Sequence, residues 1–140
     1  MLRSPFFSIH ISTIVTAYAL LLGIMVVGIT ALVRPKNLDR MERLKYLSIA
    51  MLYPAVALLA IGIFIGAVWA NVSWGNYWSW DPKEVWALIT LLIYAAPLHG
   101  KLWKVFGNPL FFHVFGVFAV LSVVVTYFGV NLFLGGIHAY

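Results

Sequence analysis

The chain has 140 residues, of which 64% are hydrophobic and only 9% are charged, and its mean hydropathy is +0.99. This composition excludes an ordinary soluble domain and indicates an integral membrane protein. A net charge of +5 would suggest nucleic acid in a soluble chain, but most basic residues here fall between apolar runs, where membrane orientation accounts for them. We therefore expect no nucleic-acid partner. With no cysteine, the chain forms no disulfide or thiolate metal site of its own.

Long apolar segments predict an all-α integral membrane protein with four transmembrane helices, forming a single module over residues 1–140. The first predicted helix, 9–33, is long enough to cross about 30 Å of hydrocarbon. The N-terminus leads into this apolar run with no small-residue cleavage site, so we expect a retained helix and no signal peptide. The other predicted helices cover 46–70, 81–99 and 110–134. The second contains Pro54, which predicts a kink, and the pair Gly62 and Gly66, which favours close helix packing.

The basic residues predict the orientation in the lipid bilayer. Five of the nine Lys and Arg residues lie between 34 and 45, and two more lie between 100 and 109. Short loops rich in Lys and Arg remain on the cytoplasmic side. Both termini and the loop between the second and third helices are therefore predicted to lie on the outer face.

That outer loop is rich in tryptophan. Trp74, Trp78, Trp80 and Trp86 are four of the six tryptophans in the chain. An interfacial aromatic belt explains one or two of them, whereas a flat array of indoles can also cover a planar apolar ligand. Asp81, followed by Pro82 and Glu84, has the pattern of a helix N-cap with a capping box, so capping can be the whole role of Asp81.

The histidines fall at helix ends. His10 and His138 are predicted on the outer face beside the tryptophans, where two opposed imidazoles could hold an iron porphyrin by its axial positions. His99 and His113 are predicted at the inner ends of the third and fourth helices. An ionisable residue in a span suggests function. For a lone histidine such as His113, a polar group bonded to a neighbouring helix is the more common explanation.

The residues 69–88, WANVSWGNYWSWDPKEVWAL, resemble the WWD signature of the cytochrome c assembly family, in particular its CcsA/ResC branch, with the CcmC haem exporter as a more distant relative. Residues 2–10 and 127–140 resemble the family segments that carry its two outer haem-binding histidines. The similarity covers essentially the whole chain.

The resemblance implies a module that presents haem b for attachment to apocytochrome c. It implies that His10 and His138 are axial ligands of an outer haem and that His99 ligates haem during transit through the membrane. It also implies a cofactor platform that presents the vinyl edge of haem to the thiols of the CXXCH motif of apocytochrome c. The residues of that platform are Trp74, Trp78, Trp80, Asp81 and Trp86. Lys83 and Arg3 are candidates to pair with the haem propionates, although exposed lysines are usually only solvated.

The resemblance further implies additional membrane spans and a CcsB/ResB-type membrane subunit, so that this chain is at most part of a holocytochrome c synthase, or haem lyase. Its expected location is the bacterial cytoplasmic membrane, with the functional face extracytoplasmic. Two alternatives remain open at this point: a haem-transporting subunit, and a scaffold subunit of the assembly complex that binds no haem. A small-solute carrier is disfavoured, because the spans show no inverted repeat.

Overall fold

A computed structural model describes the backbone of residues 5–134 and their side chains other than those at 131, 133 and 134. Within this range the chain is helical. Helix α1 covers Pro5–Leu32, α2 covers Leu38–Trp74 and α3 covers Pro82–Ala95. Two 3-10 turns follow, Ala96–His99 and Lys104–Gly107, and α4 covers Pro109–Val124 before the chain continues as a π-helix over Val125–Leu134.

Three segments of the described chain are long and apolar enough to cross a membrane: Pro5–Leu32, Leu38–Trp74 and Pro109–Val130. The prediction of a membrane protein built only from helices agrees with this result. The third predicted helix, 81–99, is not one of these three candidate spans. Its α-helix has 14 residues, or about 21 Å at 1.5 Å per residue, because Pro97 leaves the last turn in 3-10 form.

The boundaries of the elements differ from the sequence predictions where capping residues were overlooked. Asn37 accepts a hydrogen bond from Arg40 N at 3.0 Å, so α2 begins well before the predicted residue 46. It then continues as one helix through Pro54 to Trp74. Asn108 caps α4 in the same way, with Pro109 in the first turn. Asp81 and Glu84 form the predicted capping box of α3.

The helices pack with α1 against both α2 and α4, and α3 against α2 and α4. Small and aliphatic side chains form the core: Ala17, Leu21, Ile24, Leu52, Ala55, Leu59, Ala119, Val120 and Val123, together with Tyr94. The two ends of the bundle differ in the residues they contain. The loop end contains residues 75–81 and the start of α1. The basic end contains the connections 33–37 and 100–108.

Candidate functional site

A cavity of about 470 Å³ opens at the loop end. It lies between α1, the last part of α2, the start of α3 and the π-helical part of the fourth helix. Its walls are largely apolar and include the aromatic side chains of Phe7, Trp69, Tyr77 and Trp78. His10 is the histidine on this wall. A cavity of this size with apolar walls and a few polar groups is typical of a small-molecule or cofactor site.

The sequence explains why α1 contributes to the cavity along its length. His10, Ile14 and Tyr18 are spaced four residues apart, so they follow one face of the helix, and all three line the cavity. Tyr18 was missing from the predicted site. The sequence did contain an indication of Tyr18. It lies eight residues after His10, so it is on the same face of the helix, and it combines an aromatic ring with a polar hydroxyl group.

The imidazole of His10 is fixed by the backbone of α2. Its Nδ1 lies 2.8 Å from the carbonyl oxygen of Gly62. A carbonyl oxygen only accepts hydrogen bonds, so Nδ1 carries the proton and donates it. In the neutral ring, Nε2 is then the nitrogen with a lone pair, which is the form in which histidine ligates a metal.

The tryptophan residues separate into those that line the cavity and those that support or surround it. Trp78 lines the cavity. Trp80 lies edge-on to Trp78, with ring centroids 5.9 Å apart, and is 72% exposed. Trp74 packs edge-on against Trp69 at 4.9 Å, and Trp69 lines the cavity although it was not among the predicted site residues. Trp86 is half-buried in α3 and does not line the cavity.

Glu84 holds the loop in place. Its Oε2 accepts hydrogen bonds from Ser79 N at 2.8 Å and from Asp81 N at 3.2 Å, and its carboxylate also lies 3.3 Å from Ser79 Oγ. These bonds hold the residues before and after Trp80. The φ of Trp80 is 58°, a backbone conformation that is rare for a residue with a bulky side chain. The backbone on both sides of Trp80 is therefore fixed by one carboxylate that also lines the cavity.

Asp81 and Lys83 have different positions in this arrangement. Asp81 is buried, accepts from Lys83 N at 3.0 Å and does not line the cavity, so the structure supports its capping role. Lys83 lines the cavity at the first turn of α3, outside the three candidate spans. Burial lowers the pKa of its ammonium group, and the nearby carboxylate of Asp81 partly opposes that shift.

Hydroxyl groups form the polar part of the cavity wall nearest the core. Thr126 Oγ1 lies 3.1 Å from Thr90 Oγ1, donates to Ser122 O at 2.7 Å, and lies 3.2 Å from Trp86 O. Tyr18 lines the same cavity as Thr126. The hydrogen bonds of Thr126 link α3, α4 and the start of the π-helix. Sequence analysis missed them because the partners are remote in the chain.

The remaining histidines lie elsewhere or outside the described residues. His99 is exposed on the 3-10 turn toward the basic end, with its Nδ1 2.9 Å from Ala95 O. His113 is buried, and its Nε2 lies 2.9 Å from Met41 O, the bond to a neighbouring helix that the structural explanation expects. His138 and Arg3 lie outside the described residues. Among residues 5–134, no group of three His, Asp or Glu side chains is placed to hold a metal ion.

Comparisons with known proteins identify the family of this chain. The family model described as Cytochrome C assembly protein matches residues 1–138. The chain belongs to the cytochrome c assembly protein family. The resemblance found in the WWD-like motif is thereby confirmed, and it places the chain in cytochrome c biogenesis.

Named relatives of the cytochrome c assembly family match most or all of the chain. Protein NrfI of Wolinella succinogenes is 35% identical over 148 residues, covering 100% of this chain. The cytochrome c biogenesis proteins CcsA of a Picosynechococcus species and of Pyropia yezoensis are 46% and 47% identical, covering 73% and 76% of it. The chain spans only 16%, 29% and 32% of these three relatives' own lengths.

Proposed function

We propose that this chain binds haem b at the loop end and presents it for attachment to apocytochrome c. The observation that carries the proposal is the cavity of about 470 Å³ that joins His10 to the aromatic residues of the WWD-like motif. Its apolar walls suit a flat macrocycle, and the neutral imidazole of His10 suits an iron atom. The residues that line the cavity therefore suit a haem group in polarity and in donor chemistry.

In this proposal the chain binds and orients its cofactor. Haem supplies an iron that accepts axial ligands and vinyl groups that react with thiols. His10, with His138 as the second ligand, fixes the position of the ring, and Trp78 and Trp69 cover its face. Lys83, already partly desolvated, provides a cation for the haem carboxylates. Fixing the reacting groups in this way lowers the entropic barrier to bond formation with an incoming thiol.

The orientation in the membrane belongs to the same proposal. The basic connections carry most of the Lys and Arg residues, so we place the basic end in the cytoplasm and the loop end at the outer face of the bacterial cytoplasmic membrane. Apocytochrome c with its CXXCH motif then meets the cavity from outside. A CcsB/ResB-type subunit supplies the remaining parts of a haem lyase, of which this chain is one component.

The experiment that tests this proposal is an absorption spectrum of the intact protein, purified from membranes with and without a co-expressed CcsB-type subunit. We expect the spectrum of a haem with two histidine ligands, and we expect His10→Ala and His138→Ala each to weaken or remove it. If both variants retain the haem content and the spectrum of the wild type, the outer site is wrong. Colourless protein that still binds its partner subunit would instead support a scaffold.

His99 supports a second function, the transport of haem. It lies away from the cavity, on the 3-10 turn after α3, and its Nδ1 is bonded to a carbonyl as that of His10 is. His10 and His99 lie toward opposite ends of the bundle, and each has its Nδ1 bonded to a backbone carbonyl. This arrangement suits two haem positions. Two spectroscopically distinct haems, of which His99→Ala removes one and His10→Ala the other, would favour transport over a fixed outer site.

A further inference from the structure

Two glycines of α2 contact α1 at the loop end, and each meets a different side chain. A Cβ atom at Gly62 would lie 2.5 Å from Ile14 Cδ1, whereas a Cβ atom at Gly66 would lie 2.7 Å from Cε1 and 2.9 Å from Nδ1 of His10. Van der Waals contact requires clearly larger separations. The sequence predicted only that these glycines allow close helix packing, but at Gly66 the space is occupied by an imidazole ring.

The same contact explains the hydrogen bond of His10. Its Nδ1 reaches Gly62 O at 2.8 Å, although in an α-helix this carbonyl already accepts the amide of Gly66. The ring reaches that carbonyl beside the helix only because Gly66 carries no side chain. A second lone pair on the oxygen is available for the additional bond.

We propose that the Gly62 carbonyl and the bare Cα of Gly66 form a seat for His10, which fixes the ring plane and the Nδ1–H tautomer before any metal binds. The inference rests on the proposed haem site and adds two positioning residues to it. Hydrogen bonds of this kind orient metal-ligating histidines and increase the basicity of the ligating nitrogen, and their loss typically lowers metal affinity by roughly 10–100-fold.

The substitution that tests the seat is Gly66→Ala. Alanine is favoured over glycine inside a helix, so the backbone tolerates this change and the added methyl acts mainly on His10. Gly23→Ala is the matched control, because it also places a methyl between α1 and α2, against the flexible end of the Met51 side chain, and neither residue lines the cavity. A general loss of packing between α1 and α2 would affect both variants alike.

The first measurement uses the haem-free intact protein labelled with ¹⁵N histidine, whose nitrogen shifts distinguish the two neutral tautomers. We expect His10 of the wild type and of Gly23→Ala to carry its proton on Nδ1. We expect Gly66→Ala to lose this preference. The second measurement is haem retention by absorbance, where we expect a loss of roughly tenfold or more in Gly66→Ala and a much smaller loss in Gly23→Ala.

The outcomes separate the seat from the haem site itself. An Nε2–H tautomer of His10 in the haem-free wild type would overturn the seat, and this result needs no variant to fold. Equal loss of haem in the two glycine variants would overturn it as well. If His10→Ala leaves the haem spectrum unchanged while the tautomer is as expected, the haem site fails and the seat remains a structural feature of the apoprotein.

Discussion

His10 and His113 both bond to backbone carbonyls of α2, at Gly62 and Met41, with distances of 2.8 and 2.9 Å. They do so through different nitrogens. His10 uses Nδ1 and lines the cavity at the loop end, whereas His113 uses Nε2 and is 1% exposed. The outer nitrogen of the His113 ring, Nε2, is thus bonded to the backbone of the neighbouring helix α2. Its Nδ1, next to the chain, is buried without a partner in the described part of the molecule.

This difference extends to the two ends of the bundle. At the basic end, polar side chains bond to the backbone of other elements: Lys45 donates to Gly107 O at 2.8 Å and Arg40 to Thr30 O at 2.8 Å. At the loop end, side chains surround open space. A histidine is therefore a candidate ligand because of the open space beside its ring, and proximity to a membrane boundary does not decide this.

The largest expected effect on haem binding is that of His10→Ala. We expect haem retention by the intact protein to fall by more than roughly tenfold, since loss of even an outer-shell partner costs that much, while the melting temperature of the haem-free protein changes little. Absorbance and circular dichroism on one preparation measure both quantities. Unfolding of the haem-free variant would mean that His10 is structural, and its contrast with His113 would then be lost.

His113→Ala is expected to show the opposite pattern. Removing this buried ring leaves a cavity and deletes the bond to Met41 O, so we expect a loss of about 2–4 kcal/mol in stability. Haem bound per folded molecule should stay at the wild-type level. Thermal unfolding of the haem-free protein checks the first expectation. His113→Gln keeps a donor near the same place and should recover part of the loss. A haem loss in His113→Ala without destabilisation would contradict the structural role.

Trp78→Ala and Trp80→Ala sharpen the description of the loop end. Trp78 lines the cavity, and Trp80 is 72% exposed beside it. We therefore expect Trp78→Ala to lower haem retention severalfold more than Trp80→Ala does. Neither change should alter the helical content. If Trp80→Ala has the larger effect, the bound group lies outside the cavity on the exposed side of the loop. If neither matters, these rings form only an interfacial belt.

Glu84→Ala gives the smallest of the expected effects, and we expect it to act first on the loop that its carboxylate holds. It removes the acceptor for Ser79 N and Asp81 N, and we expect a local loss of about 1–2 kcal/mol. Hydrogen exchange at these two amides should accelerate by roughly tenfold, since 1.4 kcal/mol corresponds to that factor. Glu84→Gln keeps one acceptor oxygen and should accelerate exchange less. Unchanged exchange in Glu84→Ala would show that other contacts fix the conformation of Trp80.

Local patterns predicted the parts of the site that lie close together in the chain. The capping box of Asp81 and Glu84 followed from residue types three positions apart, and the boundary at the start of α3 was therefore correct to one residue. The start of α2 was missed because Asn37 lies in a basic segment without apolar periodicity. The π-helix from Val125 had no recognisable signal, since it forms where Thr126 bonds to α3 through Trp86 O and Thr90.

Residue types and their spacing alone determined that this protein is a helical membrane protein with most of its basic residues in the connections 34–45 and 100–109, because hydrophobicity and charge act residue by residue. The aromatic motif also identified its family. Only the tertiary structure decided that His10 lies on Gly66 and lines a cavity, that Trp69 and Tyr18 join it there, and that His113 is packed away. Those outcomes depend on which helix faces which, and that is fixed by contacts between residues as far apart as His10 and Gly62.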